Sequence, residues 1–258
     1  MAHTASLPDL SGQAALVTGA GGGIGRAVAR QFALAGAKVV VHYRTAAGGA
    51  EALVRAIEED GGEACAVGAD LGREDECRRV VRAAVERFGR LDALVNNAGL
   101  QPTQDLAGME LADWRAVVDT NLSSVFSCTQ AAAAVMRGQG GGSVTHIASI
   151  EGTQPARRHA HYASSKAAII MHARAAALEY GEAGIRVNSV SPGLIDRDGL
   201  AEDWPEGVER WQRAVPLGRL GRATDVANAC VFLASPLAAW ISGHNLVVDG
   251  GVSARPTW

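Results

Sequence analysis

Residues 14–25 read AALVTGAGGGIG, and this stretch decides the fold. Its first part, residues 14–18, is short and apolar, which predicts a buried β-strand. Glycines follow at once, and a helical spacing of apolar residues then runs from Ile24 to Ala35. Glycines let the backbone turn tightly and approach a pyrophosphate, while the helix N-terminus presents free N–H groups to that anion. This strand–turn–helix context favours a dinucleotide-binding site over a flexible glycine-rich turn.

Downstream, apolar runs alternate with helical periods to the end of the chain. Such alternation, with nearly continuous apolar strands, predicts a parallel sheet covered by helices on both faces. We therefore expect a single doubly wound α/β Rossmann domain, residues 1–258, with a seven-stranded parallel sheet. The predicted strands are residues 14–18, 38–43, 63–68, 91–96, 143–148, 185–190 and 245–248. The predicted helices are residues 24–35, 50–59, 74–88, 112–136 (with some irregularity), 161–180 and 224–233.

One connection is longer than usual in a compact α/β domain, at about residues 193–220. It contains Trp204 and Trp211, and a short helix is predicted around residues 206–213. Long irregular segments of this kind often act as lids over a binding site. We expect a substrate lid here, although either Trp could instead belong to the core or to a subunit contact.

The composition excludes several classes of protein. A chain of 258 residues with 48% hydrophobic content can bury a full core, and its net charge of −3 argues against a nucleic-acid binder. The four cysteines form no C-x-x-C pair, which indicates buried thiols in a reducing compartment and no metal site. No signal peptide or membrane-spanning run is evident. These features predict a cytoplasmic protein that binds neither nucleic acid nor a membrane.

Tyr162 and Lys166 are four residues apart in a predicted helix, so their side chains share one face. An ammonium group beside a phenol stabilises the phenolate, which lowers a tyrosine pKa from about 10 towards neutrality. Such a tyrosine can exchange a proton with a carbonyl or alcohol oxygen. The pair alone is weak evidence of catalysis, because many surface helices contain this spacing by chance.

Together these motifs resemble the short-chain dehydrogenase/reductase family nearly from end to end. The glycine stretch, an Asn-Asn-Ala-Gly element at residues 96–99 and a Pro-Gly turn at residues 192–193 match family motifs. Asn121 matches the catalytic asparagine, and Ser149, thirteen residues before Tyr162, matches the catalytic serine. No serine-hydrolase elbow of the Gly-x-Ser-x-Gly type occurs.

The resemblance implies hydride transfer between a nicotinamide and a carbonyl or secondary alcohol, with a catalytic set of Asn121, Ser149, Tyr162 and Lys166. Tyr162 would exchange the proton, Ser149 would bind the same oxygen, and Asn121 would hold a water beside Lys166. Lys166 would also hold the nicotinamide ribose. The implied cofactor-binding residues are Gly19, Gly21, Gly22, Gly23, Ile24, Gly25, Tyr43, Arg44, Thr45, Asp70, Leu71, Asn97, Ala98, Gly99, Tyr162, Lys166, Pro192, Gly193 and Ile195.

The substrate is less well defined. Between Ser149 and Tyr162 the family lines its substrate cleft, and here that segment is polar, with Glu151 and several basic side chains. This favours a small polar molecule over a steroid, with Ser149, Glu151, Tyr162 and Trp204 as its expected contacts. A 3-oxoacyl thioester reductase remains an alternative, although the helix ends that would dock a carrier protein lack a basic cluster. A dinucleotide-binding regulator without turnover is an alternative of another class.

The cofactor preference depends on the end of the second predicted strand. Dehydrogenases that use NAD place an acid there to bind the ribose 2′-OH. Tyr43 occupies that position here, followed by Arg44 and Thr45, and no acid occurs before Glu51. An arginine can bind a 2′-phosphate with two N–H donors, so we expect NADP(H) to be preferred. The glycine loop lacks the second basic residue of many NADP-binding relatives, so NAD(H) remains possible.

Two further expectations come from the resemblance. The family often has Thr shortly after the Pro-Gly turn to bind the nicotinamide carboxamide, where this chain has Arg197. Either backbone groups near Ile195 hold the carboxamide, or Arg197 binds a phosphate or an anionic substrate; a solvated arginine is the third possibility. The family also suggests a homotetramer, and we expect the terminal Trp258 to lie at or near a subunit contact.

Overall fold

Seven parallel strands form one sheet at the centre of the computed structural model, which describes residues 8–254. In chain order they are β1 (Ala14–Val17), β2 (Lys38–Tyr43), β3 (Ala64–Gly68), β4 (Ala93–Asn96), β5 (Gly142–Ile147), β6 (Ile185–Pro192) and β7 (Asn245–Val248). Their order across the sheet is β3-β2-β1-β4-β5-β6-β7, and every neighbouring pair is parallel. The order reverses between β1 and β4, where a crevice opens at the carboxyl ends of the strands. The predicted doubly wound α/β fold is confirmed.

Helices cover both faces of the sheet. They are α1 (Gly23–Leu34), α2 (Ala47–Glu59), α3 (Glu74–Phe88), α4 (Leu111–Val118), α5 (Ser124–Gly138), α6 (Ala160–Tyr180), α7 (Leu200–Asp203), α8 (Pro205–Ala214) and α9 (Ala223–Ala234). Val17 and Val41 pack with α1, α2 and α9, whereas Leu16 and Val40 pack with α3, α5 and α6. The side chains of consecutive strand residues thus pack into two different hydrophobic cores, one on each face of the sheet. For this reason the strands are nearly continuous apolar runs in the sequence.

Two helices differ in detail from the sequence prediction. Helix α2 begins at Ala47, three residues earlier than expected, and includes Gly48 and Gly49. A Cβ atom at Gly49 would lie 2.4 Å from the carbonyl oxygen of Gly21, so only glycine lets α2 approach the glycine-rich loop this closely. The predicted long helix over residues 112–136 is two helices joined by a π-helical turn, Asp119–Ser123.

The long segment after β6 contains α7 and α8 and is tied at its base. Asp196 N donates to Gly221 O at 2.7 Å, and Gly221 N donates to Leu194 O at 3.0 Å. Trp211 packs against the Pro-Gly turn, since a Cβ at Gly193 would lie 3.0 Å from its ring. The expectation for Trp258 lies outside the described residues.

Candidate active site

The glycine-rich loop is held in place from behind by the residues that follow β4. The Thr18 hydroxyl accepts from the N–H groups of Asn97 at 2.9 Å and Ala98 at 3.0 Å, and Asn97 Nδ2 donates back to Thr18 O at 2.9 Å. Gly19 has a φ of +64°. A Cβ at Gly25 would lie 2.4 Å from Gly19 O, so the close packing of loop on helix requires glycine there.

The front of the same loop is open. A Cβ at Gly22 or Gly23 would meet no atom of residues 8–254 within 4 Å. Helix α1 begins at Gly23 with no side-chain cap, so its first N–H groups face this space. An anion bound there would meet free donors and the positive end of the helix dipole. This shape and chemistry fit the pyrophosphate of a dinucleotide.

Tyr162 lies in the first turn of α6 and Lys166 one turn further on. Lys166 is 4% exposed, and its Nζ donates to Ile147 O at 2.7 Å and lies 5.4 Å from the centroid of the Tyr162 ring. Ser149 Oγ accepts from Glu151 N at 3.1 Å, which leaves the serine proton free to donate. The predicted alignment of Tyr162 and Lys166 on one helix face is therefore present.

The titration of this pair differs from the sequence expectation. Burial raises the pKa of Tyr162 to about 12, a hydrogen bond with Ser149 lowers it, and the Glu151 carboxylate raises it further. Burial also lowers the pKa of Lys166 to about 8. The prediction of a lowered tyrosine pKa is wrong for this structure, because desolvation outweighs an ammonium group that is directed at a backbone carbonyl.

Asn121 lies in the π-helical turn and is fully buried. Its Oδ1 accepts from Leu100 N at 2.7 Å, and its Nδ2 donates to Leu100 O at 2.9 Å and Ser165 Oγ at 3.1 Å. A Cβ at Gly99 would lie 3.2 Å from Asn121 Oδ1 and 3.7 Å from Lys166 Nζ. The side chain expected to hold a water is thus occupied in fixing the loop beside Lys166.

One cavity of about 1190 Å³ brings most of these groups together. The predicted site residues that line it are Gly23, Ile24, Asn97, Gly99, Ser149, Glu151, Tyr162, Lys166, Pro192, Gly193, Ile195 and Trp204. Those that do not are Gly19, Gly21, Gly22, Gly25, Tyr43, Arg44, Thr45, Asp70, Leu71, Ala98 and Asn121. Most of the second group lie in or behind the glycine loop or after β2 and β3, along the path expected for the adenosine half.

A family model described as enoyl-(acyl carrier protein) reductase matches residues 19–253. The chain belongs to the short-chain dehydrogenase/reductase family. A 3-oxoacyl-[acyl-carrier-protein] reductase of Synechocystis sp. is 40% identical, over 94% of this chain and 98% of that protein. 3beta-hydroxysteroid dehydrogenase 1 of Eggerthella lenta is 38% identical over 96% of each chain. A solved structure of 7α-hydroxysteroid dehydrogenase with NADH and 7-oxoglycochenodeoxycholic acid is 39% identical, with a TM-score of 0.90 over 94% of this chain and 95% of that one.

The expected substrate end of the cavity in this short-chain dehydrogenase/reductase has both a polar and an apolar wall, whereas the sequence predicted a mainly polar lining. The polar wall contains Glu151 and His159 from the expected segment, and also Gln101 and Thr103. A second wall is apolar and comes from the long segment: Leu194, Leu200, Trp204 and Trp211. The sequence predicted Trp204 as a substrate contact and Trp211 as part of the lid, but it gave no role to Leu194 and Leu200.

Arg197 lines the cavity, but its guanidinium is engaged with an acid of the same segment. Its guanidinium pairs with Asp203 at 3.0 Å, and both side chains are more than half exposed. Asp70 is also exposed, and its Oδ1 accepts from Gly72 N at 3.1 Å in a local turn.

Within the described part of the chain, no helix is long and apolar enough to cross a membrane. In the same residues, no group of three or more His, Cys, Asp or Glu side chains could hold a metal ion.

His42 is a positioning residue that the sequence did not reveal. It is buried in β2, where its Nδ1 accepts from Gly19 N at 3.0 Å and its Nε2 lies 3.2 Å from Ala69 O. Nε2 must carry the proton, because the carbonyl can only accept. One neutral imidazole therefore links the glycine loop to the loop after β3. The available signal was a polar residue in an otherwise apolar strand, KVVVHY.

We expect dinucleotide affinity in this family member to fall at low pH, because a protonated imidazole cannot accept from Gly19. Burial lowers the pKa of His42, the hydrogen bond to Ala69 O raises it, Arg79 lowers it and Glu76 raises it, so the loss begins below the usual histidine range. Calorimetric titration with NADH, which has no titrating 2′-phosphate, measures this profile. His42→Asn keeps an acceptor near the Nδ1 position and should flatten it. A wild-type profile as flat as that of His42→Asn would contradict the expectation.

Proposed function

We propose that this protein is an NAD(P)(H)-dependent oxidoreductase that transfers a hydride between the nicotinamide and a carbonyl or secondary alcohol of a small, polar substrate. One observation carries the proposal. Ser149, Tyr162 and Lys166 line the same cavity as Gly23 and Ile24 at the open end of the glycine loop. An acid–base group and a dinucleotide cradle thus face one space, as hydride transfer to a carbonyl requires.

The residues that would hold the dinucleotide follow the edge of the sheet. The loop at residues 19–25 would bind the pyrophosphate, Tyr43 to Thr45 and Asp70 to Leu71 the adenosine, and Asn97 to Gly99 the adjoining ribose. Lys166 and the turn at Pro192, Gly193 and Ile195 would hold the nicotinamide half. Bound in this way, the nicotinamide supplies or accepts the hydride.

The protein's own part is the proton and the orientation of the oxygen. Tyr162, with its pKa near 12, is protonated at neutral pH and can donate to the oxygen of a carbonyl under reduction. Ser149 can donate a hydrogen bond to the same oxygen and fix its position. Lys166 is largely protonated at pH 7 and stabilises the phenolate left behind. Asn121 acts as a positioning residue for the loop beside Lys166.

The test is turnover on a panel of ketones, 3-oxoacyl thioesters, sugars and polyols, followed by nicotinamide absorbance with both cofactors. Reduction of a ketone or oxidation of a secondary alcohol supports the proposal. A second candidate, a 3-oxoacyl thioester reductase, is favoured by the similarity to the Synechocystis reductase and has its own arm in the panel. A regulator without turnover would bind dinucleotide but leave the absorbance unchanged on every substrate.

NADP(H) is the cofactor that we propose to be preferred. Arg44 and Thr45 follow β2 and are exposed, and Arg44 forms no ion pair within residues 8–254. The ring of Tyr43 lies against β3, 3.0 Å from a Cβ built at Gly68, so it occupies the place where an acid would repel the 2′-phosphate. A free guanidinium at this edge supports binding of a phosphate.

Arg44→Ala should lower kcat/KM with NADPH about 10- to 100-fold, the usual value of a charge-assisted hydrogen bond. The value with NADH should change by less than about 3-fold. The matched control is Arg30→Ala, which removes an exposed arginine paired with Asp60 at 3.3 Å on the far side of α1. Equal kcat/KM for the two cofactors in the wild type would refute the preference.

A homotetramer and a lid complete the proposal. Phe126, Met171 and Leu178 on α5 and α6 are at least half exposed, and such side chains support a subunit contact. A light-scattering mass near that of one chain would contradict the homotetramer.

We propose residues 193–220 as the lid, because Trp204 and Trp211 both line the cavity. The four cysteines are free thiols, which supports a location in the reducing cytoplasm.

A further inference from the structure

Glu151 and His159 form a bonded pair on the polar wall of the cavity. His159 Nδ1 lies 2.9 Å from Glu151 Oε2, and the other carboxylate oxygen accepts from Gln101 Nε2 at 3.0 Å. Both side chains of the pair are less than one-fifth exposed. The His159 ring meets the Tyr162 ring edge-on, with centroids 6.0 Å apart. The pair therefore lies beside the ring of Tyr162, outside the catalytic set.

The hydrogen bonds fix what this pair presents to the cavity. A carboxylate can only accept, so Nδ1 of His159 carries the proton. Its Nε2 lies 3.3 Å from Thr103 Oγ1, which can donate to it. The pair therefore presents to the cavity the remaining lone pairs of the Glu151 carboxylate, which His159 and Gln101 hold in place. A carboxylate only accepts hydrogen bonds, so a substrate that binds it must supply a donor.

The charges around the pair disfavour an anionic partner. Arg197 is paired with Asp203 at 3.0 Å, and Arg158 with Asp105 at 3.2 Å. Lys166 Nζ is directed at Ile147 O and is needed for the catalytic step. Within residues 8–254, the polar wall therefore offers a carboxylate and no unpaired arginine or lysine to a substrate carboxylate or phosphate. A hydroxyl group is neutral and donates, so it matches this wall.

We propose that Glu151, held in place by His159, recognises a hydroxyl group on the carbon next to the reacting carbonyl, which makes hydroxyketones, and vicinal diols in the reverse direction, the substrate class of this site. The inference rests on the proposed function and narrows it. The apolar wall of Leu194, Leu200, Trp204 and Trp211 faces the remainder of the substrate. A plain ketone fits the same catalytic groups but makes no hydrogen bond to the Glu151 carboxylate, so it lacks that stabilisation.

The test compares 3-hydroxy-2-butanone with 2-butanone, which share one carbon skeleton, and includes 2-oxobutanoate as the anionic analogue. For the wild type we expect kcat/KM to be about 10- to 100-fold higher for the hydroxyketone than for the plain ketone. The oxo acid should fall below the hydroxyketone. Equal values for the two ketones, or a preference for the anion, would overturn the recognition pair.

The decisive variant is His159→Phe, which keeps a flat ring against Tyr162 but removes both nitrogens. It should reduce the hydroxyketone preference to near unity, because kcat/KM falls more for the hydroxyketone than for 2-butanone. Glu151→Gln should reduce the preference in the same direction, and the double variant should add little, since the two residues act as one unit. A merely structural pair would lower both ketones equally, which would contradict the proposal.

Arg158→Ala is the matched control. It removes a charged side chain from the residue next to His159, whose guanidinium pairs on the surface with Asp105 and does not line the cavity. The substrate preference should survive this change. If the wild type reduces ketones without any preference, the recognition pair fails while the oxidoreductase assignment stands. If it binds NADPH but converts no ketone or alcohol, the proposed function fails, and the substrate class with it.

Discussion

Tyr162→Phe should lower kcat for carbonyl reduction at least about 1000-fold, because the only change is loss of the group that donates the proton. Dinucleotide affinity should stay within about 3-fold of the wild type, since the ring itself remains. Stopped-flow or steady-state absorbance gives the rate, and calorimetric titration with NADPH gives the affinity. Near-normal turnover by Tyr162→Phe would refute the mechanism.

Ser149→Ala is the companion variant. Its hydroxyl would bind the same oxygen but donate no proton in the chemical step, so we expect a loss of about 100-fold. The combined variant should lose little more than Tyr162→Phe alone, because residues that act as a unit are not additive. Additive losses would instead indicate that the two hydroxyls act at different atoms.

Lys166→Met should lower both turnover and dinucleotide affinity while making the protein more stable at pH 7. Burial lowers the pKa of Lys166 from its usual value of 10.5 to about 8. Holding the charged amine in the folded state therefore costs roughly 3 kcal/mol at neutral pH. Methionine removes that cost but leaves Ile147 O without its donor, so we expect a net gain of about 1–2 kcal/mol.

The stability gain of Lys166→Met over the wild type should depend on pH. Between about pH 8 and about pH 10.5 the unfolded chain holds the lysine proton and the folded chain does not, so wild-type stability rises with pH across that window. The advantage of Lys166→Met should therefore shrink and disappear near pH 10. Urea unfolding at both ends of the window measures it. Lys38, the other lysine of the chain, is partly exposed and pairs with Glu63 at 2.9 Å, so Lys38→Met is the control without such a trend.

The sequence predicted the secondary structure correctly where residues close together in the chain determine it. The strand, glycine turn and helix at residues 14–34 follow from apolar runs and glycine conformations, and Tyr162 aligns with Lys166 because a helix repeats every 3.6 residues. The start of α2 was placed too late because Gly48 and Gly49 disfavour a helix by themselves. Only the contact of Gly49 with Gly21 explains why the helix includes them.

The remainder depends on residues that are distant in the chain. His42 acquires its role from Gly19 and Ala69, and Glu151 meets Gln101 fifty positions away. The pKa of Tyr162 depends on how completely the folded chain removes water from it, which no spacing encodes. The apolar wall of the cavity comes from a segment whose path is set by packing against the Pro-Gly turn.

The backbone bridge between Ile195 and Gly221 has a consequence for how such enzymes diversify. Because these residues pair directly, the segment between them leaves and rejoins the sheet at almost one point. A change in its length or composition therefore places little strain on β6 or α9. Ser149, Tyr162 and Lys166 lie outside the segment, so the wall that meets the substrate can be exchanged while the acid–base groups stay in register. Exchange of residues 196–220 between relatives should therefore change which apolar substituents of a substrate are accepted, while the Glu151 carboxylate and the acid–base groups stay in place.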